Sequence, residues 1–112
     1  MQKLYVLMAV SIGEILGEPT VIDSSIIKLS YNLDRLRKEA ENNIGDYFEA
    51  GAYEYGIIKR IQVDSIYPFH RVSYEGYLYK WDDNLEKFVE QDISHPNEEQ
   101  RFLLNSLCIF LD

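Results

Sequence analysis

The twelve residues from Tyr53 to Asp64 limit the fold more than any other stretch of this chain. Tyr53, Tyr55, Ile57, Ile61 and Val63 occupy its odd positions, Lys59 being the polar exception, and Glu54, Arg60, Gln62 and Asp64 alternate with them. A two-residue period sends alternate side chains to opposite faces, so the pattern predicts a strand with one face packed and the other in water. The stretch is about twice the length of an ordinary strand, which predicts a central position and a bend or bulge at Gly56.

Ahead of it, Lys3 to Ile12 is a nearly continuous apolar run. Such a run predicts a strand buried on both faces, lying beside the long one. Gly13 to Pro19, with two glycines and a proline, predicts an irregular arm or a hairpin tip, and Thr20 to Asp23 a short second strand. Asp23, Ser24 and Ser25 can accept backbone N–H groups at a helix start. From there Ile26, Leu29, Leu33, Leu36, Ala40 and Ile44 recur at three- and four-residue steps, the stripe of an amphipathic helix over 26–43. Asp34 with Lys38 and Arg35 with Glu39 are opposite charges four apart on its outer side, and Gly45 is a stop signal.

After the long strand Pro68 interrupts the sheet. Val72 to Trp81 and Leu85 to Val89 then predict a hairpin turned by Asp82, Asp83 and Asn84, with Tyr77, Tyr79 and Trp81 on one face. Asn97 and Gln100 have the spacing of a capping box and open a C-terminal helix, 98–111, with Leu103, Leu107, Phe110 and Leu111 as its buried stripe. The expected fold is a single α+β domain, 1–112: a mostly antiparallel sheet of four to five strands, helix 26–43 packed on one face, and the helix 98–111. Helices gathered over one face of the sheet would satisfy both periods.

Nineteen acidic against eleven basic residues give a formal charge of −8. That field repels polyanions, which argues against direct binding of nucleic acid. The single cysteine, Cys108, cannot form an internal disulfide; Met1 opens no signal-peptide pattern, and Leu4 to Val10 is too short to span a membrane. A cytoplasmic protein with no membrane contact is expected.

Catalytic patterns are missing. There is no glycine-rich phosphate cradle followed by Lys-Ser or Lys-Thr, which excludes a P-loop. His70, His95 and Cys108 do not have zinc-ligand spacing, and Ser73 or Ser94 near a histidine matches no nucleophile motif. Asp82, Asp83, Asn84 and Glu86 lack the calcium-loop spacing and read as a turn. No catalytic residue, metal or cofactor is therefore assigned.

What stands out is acid beside aromatic. Between Glu41 and Gly56 there are four acids and no base, with Tyr47 and Phe48 among them, and Tyr67 and Tyr74 flank the Pro68 region. Aromatic anchors ringed by charge are a common composition of contact surfaces, so Asp46, Tyr47, Phe48, Glu49, Glu54, Tyr67 and Tyr74 are the expected partner-binding residues. The alternative is that the rings close the ends of the sheet over the core.

In size, charge and lack of catalytic motifs the chain resembles the small acidic accessory proteins of bacteriophages and other mobile elements, which often bind and block a larger host protein. It is similar in the same respects to immunity proteins that neutralise bacterial toxins. The resemblance implies a non-enzymatic inhibitor or anti-defence protein that masks a basic surface on a larger protein. A small hydrolase or transferase with a pocket between the sheet and the C-terminal helix is the alternative from another class, and a homodimer through a sheet edge is a third.

Overall fold

The computed structural model describes residues 3–43, 53–63, 73, 75–107 and 109. Five strands, β1 (Leu4–Ile15), β2 (Glu18–Ser30), β3 (Tyr55–Ile61), β4 (Gly76–Asp82) and β5 (Lys87–Glu90), form one sheet in the order β2-β1-β3-β4-β5, and every neighbouring pair is antiparallel. With two helices, α1 (Leu33–Glu41) and α2 (Glu98–Ser106), this is the expected α+β fold.

The sheet is covered on both sides. Tyr5, Leu7 and Ala9 of β1, Ile58, Tyr79 and Phe88 point to one face and pack with Leu36 and Ala40 of α1. Val10, Tyr55, Ile57 and Leu78 point to the other and pack with Leu103 and Leu104 of α2 and with Ile109. The helices thus lie on opposite faces, against the expectation of a shared one. The apolar run in β1 already required this, because a strand apolar on both sides has to be covered on both.

Strand β3 is central, as its pattern predicts, but it spans seven residues, and Tyr55 to Lys59 are all buried, so both faces are covered along these five residues and Arg60 is exposed. Gly56 does not bend it. That residue pairs with Ala9 and Tyr79 in an unbroken register. The irregularities fall between β1 and β2, where the register shifts at Leu7/Met8 and Ser11/Ile12 and leaves Ile27 and Ile22 of β2 as the extra residues. Bulges of this kind bend and twist an outer strand. Strand β2 is accordingly thirteen residues long rather than the short strand Thr20 to Asp23.

These bulges also explain why the first helix starts at Leu33 and not at Ile26. Each one places two apolar residues in succession, Val21-Ile22 and Ile26-Ile27, and so breaks the period of two into steps that imitate a helix. The helix begins where Asn32 caps it, its side chain accepting the Arg35 N–H at 3.1 Å. It ends where the sequence indicates, with Asn42 as C-cap and Asn43 left-handed at φ 49°. The expected stop at Gly45 lies outside the described residues.

At the other end of the chain, Asn97 Oδ1 accepts the Gln100 N–H at 2.8 Å and Gln100 Oε1 accepts the Asn97 N–H at 3.0 Å, which is the expected capping box. Helix α2 stops at Ser106, short of 111, and the Leu107 carbonyl that closes it accepts a hydrogen bond from Lys59 Nζ at 2.7 Å. A buried lysine on β3 therefore holds the negative end of this helix, where a cation is favoured. The hairpin β4–β5 forms with Tyr77, Tyr79 and Trp81 on the α1 face, Trp81 meeting Phe88 edge-on with ring centroids 5.1 Å apart. Gly76 opens β4 under Ile109, where any Cβ would come within 2.8 Å of that side chain.

Candidate functional site

Antiparallel pairing decides which loops meet. Val10 pairs with Tyr55, Tyr55 with Lys80, and Asp82 with Lys87, so the outgoing end of β1, the start of β3 and the β4–β5 turn lie at one end of the sheet. Pairing of β1 with β3 stops at Val10, whereas β1 and β2 stay paired to Ile15 and Glu18. The two strands thus run on as a two-stranded arm. Ile12 and Val21 fasten its base to the α2-side core.

The arm ends in a two-residue loop, Leu16-Gly17, with φ of 54° and 81°. Paired strands joined by two residues favour this geometry because positive φ at both positions matches the strand twist. Glycine adopts it freely. A leucine there costs about 1 kcal/mol or more, because its Cβ crowds the following carbonyl. Leu16 is also 99% exposed, and Ile15 and Ile22 beside it are more than half exposed.

Acids collect at this end of the sheet. Glu14, Glu18 and Asp23 lie on the arm, and no Lys or Arg occurs between Leu4 and Ile27. Glu54 leads into β3, while Asp82, Asp83 and Glu86 stand at the β4–β5 turn, beside the exposed Leu85. Two lysines oppose them, Lys80, whose ammonium lies 5.7 Å from the centre of the Tyr55 ring, and Lys87. Some of these carboxylates have structural work. Asp82 Oδ1 accepts the Asn84 and Leu85 N–H groups, Asp83 accepts from Trp81 Nε1, and Asp23 accepts from Tyr53 Oη, which also bonds Ser25. Glu14, Glu18, Glu54 and Glu86 are exposed and make no side-chain hydrogen bond or ion pair with the other described residues.

The α1 face treats charge differently. Glu39 pairs with Lys28 at 2.8 Å and Arg35 at 3.4 Å, Glu90 with Arg37, and Glu75 with Lys3 at 3.7 Å. Tyr5 Oη donates to Glu75 at 2.6 Å and Tyr77 Oη does so at 3.3 Å, while Tyr79 Oη donates to Glu90 at 3.2 Å. Burial, then the bond to Glu75, pushes the Tyr5 phenol up to about 12. Burial also raises Tyr55, Tyr77 and Tyr79, so these phenols stay protonated and serve as donors.

Of the residues expected to bind a partner, Glu54 is placed at the arm end. Asp46, Tyr47, Phe48, Glu49, Tyr67 and Tyr74 lie outside the described residues, as do His70 and Cys108. Ser73 Oγ donates to the Glu75 carbonyl and Ser94 Oγ to Asp92. The space between sheet and α2 is filled by Tyr55, Ile57, Leu78, Leu103 and Leu104. A shallow concavity lies instead at the start of α1, against Asn32, Arg35 and Lys38. Among the described residues no cluster of three His, Cys, Asp or Glu could hold a metal, and no helix is long and apolar enough to cross a membrane.

No protein family, curated protein or solved structure matches the chain. The arm acids were missed in the sequence, although the interval from Leu4 to Ile27, with three acids and no base, carries the signal.

Proposed function

We propose that this protein is a non-enzymatic, cytoplasmic binding protein that masks a basic surface on a larger protein partner. The observation that supports it is the placement at one end of the sheet of Glu14, Glu18, Glu54 and Glu86, carboxylates with no bonding partner among the described residues, brought there from separate segments by the strand registers. On the α1 face Glu39, Glu75 and Glu90 complete ion pairs; these four make none with the other described residues. Unpaired surface charge of one sign accelerates encounter with a surface of the other and repels nucleic acid and anionic lipid. In chains of similar size and charge such masking inhibits a host protein or a toxin. Asp46, Tyr47, Phe48 and Glu49 belong to the proposal through their closeness in sequence to Tyr53 and Glu54; Ser73 and Glu75, which flank Tyr74, sit at the opposite end of the sheet.

The test is capture of cell proteins on the immobilised chain, followed by association kinetics with the protein recovered. A basic protein is expected, its association rate falling steeply with salt, because the screening length is about 8 Å at physiological ionic strength. Recovery of small metabolites alone, or an association rate indifferent to salt, contradicts the reading.

A further inference from the structure

Among the described residues three other than glycine have positive φ: Leu16, Asn43 and Glu86. Asn43 follows the end of α1 and Glu86 closes the β4–β5 turn, and both are polar. Leu16 differs. It combines a left-handed backbone with an apolar side chain that is 99% exposed, at the point of the arm farthest from the paired core of the sheet. Folding gains nothing from it, since Asn or Gly would form the same loop with less strain and less apolar surface in water. Strain held where the fold does not need it points to use elsewhere.

We propose that the β1–β2 arm is an insertion element, in which Leu16, flanked by Ile15 and Ile22, fills an apolar pocket on the protein partner while Glu14, Glu18 and Asp23 meet Lys or Arg side chains around its rim. The inference rests on the masking reading and adds the shape and chemistry of the partner's site. Charge complementarity selects this occupant. An anionic bilayer and nucleic acid also offer apolar or stacking surfaces, but an arm with three carboxylates and no cation is repelled by both. A second copy meeting the first arm to arm would set acid against acid. The division of labour follows from position: the tip, once buried, resists dissociation, and the exposed acids steer approach.

Two sets of variants test it against the basic protein retained by the immobilised parent chain and eluted with salt. In the first, Leu16→Asn is expected to melt at a higher temperature than the parent, because asparagine tolerates φ 54°, and yet to dissociate about tenfold faster or more. Leu16→Met, which keeps an apolar tip, should stay within a few-fold of the parent. In the second, Glu14→Gln with Glu18→Gln should slow association and flatten its salt dependence while leaving dissociation nearly unchanged. A Leu16→Asn chain that dissociates like the parent overturns the insertion inference and leaves the masking reading standing. A charge variant with parental association and salt dependence, or a parent chain that retains no basic protein, overturns both. Zwitterionic lipid vesicles that bind the parent and release Leu16→Asn would assign the tip to a bilayer and overturn the insertion into protein.

Discussion

The α1 face and the arm end of the same sheet use acidic residues in opposite ways. On the α1 face three carboxylates are neutralised and hydrogen-bonded: Glu39 between Lys28 and Arg35, Glu75 between Lys3 and two tyrosines, Glu90 between Arg37 and Tyr79. At the arm end Glu14, Glu18, Glu54 and Glu86 face solvent beside apolar residues that are exposed as well. One region spends its charge on folding. The other holds charge and apolar surface outside the core, a combination that suits a contact surface.

The sharpest way to break this contrast is to make one substitution in both places. Leu36→Asp puts an unpaired charge beneath α1 at a fully buried position and should cost about 4 kcal/mol or more, a large part of a domain's stability of about 5–15 kcal/mol, and lower the melting temperature sharply. Leu16→Asp on the arm should leave the melting temperature at or above that of the parent. Coincident melts for Leu36→Asp and the parent would show that the α1 face does not hold the fold together.

Alkali should act on the α1 face next. The folded Tyr5 phenol titrates near 12 and its unfolded counterpart near 10, so the stability it contributes is present below pH 10 and is lost as pH rises from 10 through 12. Tyr55, Tyr77 and Tyr79 are shifted in the same direction, so their contributions are lost over alkaline pH as well. Absorbance titration of the nine tyrosines should show a group that ionises only as the protein unfolds. Nine phenols titrating together near 10 in a folded protein would contradict the network.

A smaller effect is expected under α2. Lys59→Met removes the donor to the Leu107 carbonyl and should cost about 2 kcal/mol, with hydrogen exchange accelerated first in the last turn of α2. Unchanged exchange there would mean that the lysine does not hold the helix end.

Much of the fold was legible in the sequence where local chemistry decides. The capping box at Asn97, the α1 stripe through Leu36 and Ala40, the hairpin at Asp82 and the double-sided burial of β1 all express short-range rules. The misreadings come from interactions that spacing alone does not reveal. Ile22 and Ile27 are bulge residues, and a bulge turns a strand period into a helix-like one, so the start of α1 was set seven residues early. Ile58 was passed over in the alternation of β3, although an apolar residue on its second face requires a second cover, which is α1. The candidate site was the least legible. Glu54 stands out from its neighbours in sequence, but its placement at the same end of the sheet as Glu14, Glu18 and Glu86 depends on strand order and register, which a single sequence does not contain.

Whether the arm-end acids act in binding and not in folding is decided by one variant carrying Glu14→Gln, Glu18→Gln and Glu86→Gln. Urea unfolding and association with the captured basic protein would be measured side by side across a range of salt. Folding stability is expected to stay within about 0.5 kcal/mol of the parent, since these side chains make no bond with the other described residues, and association should be slower and less salt-sensitive. Loss of stability with association unchanged would contradict both expectations.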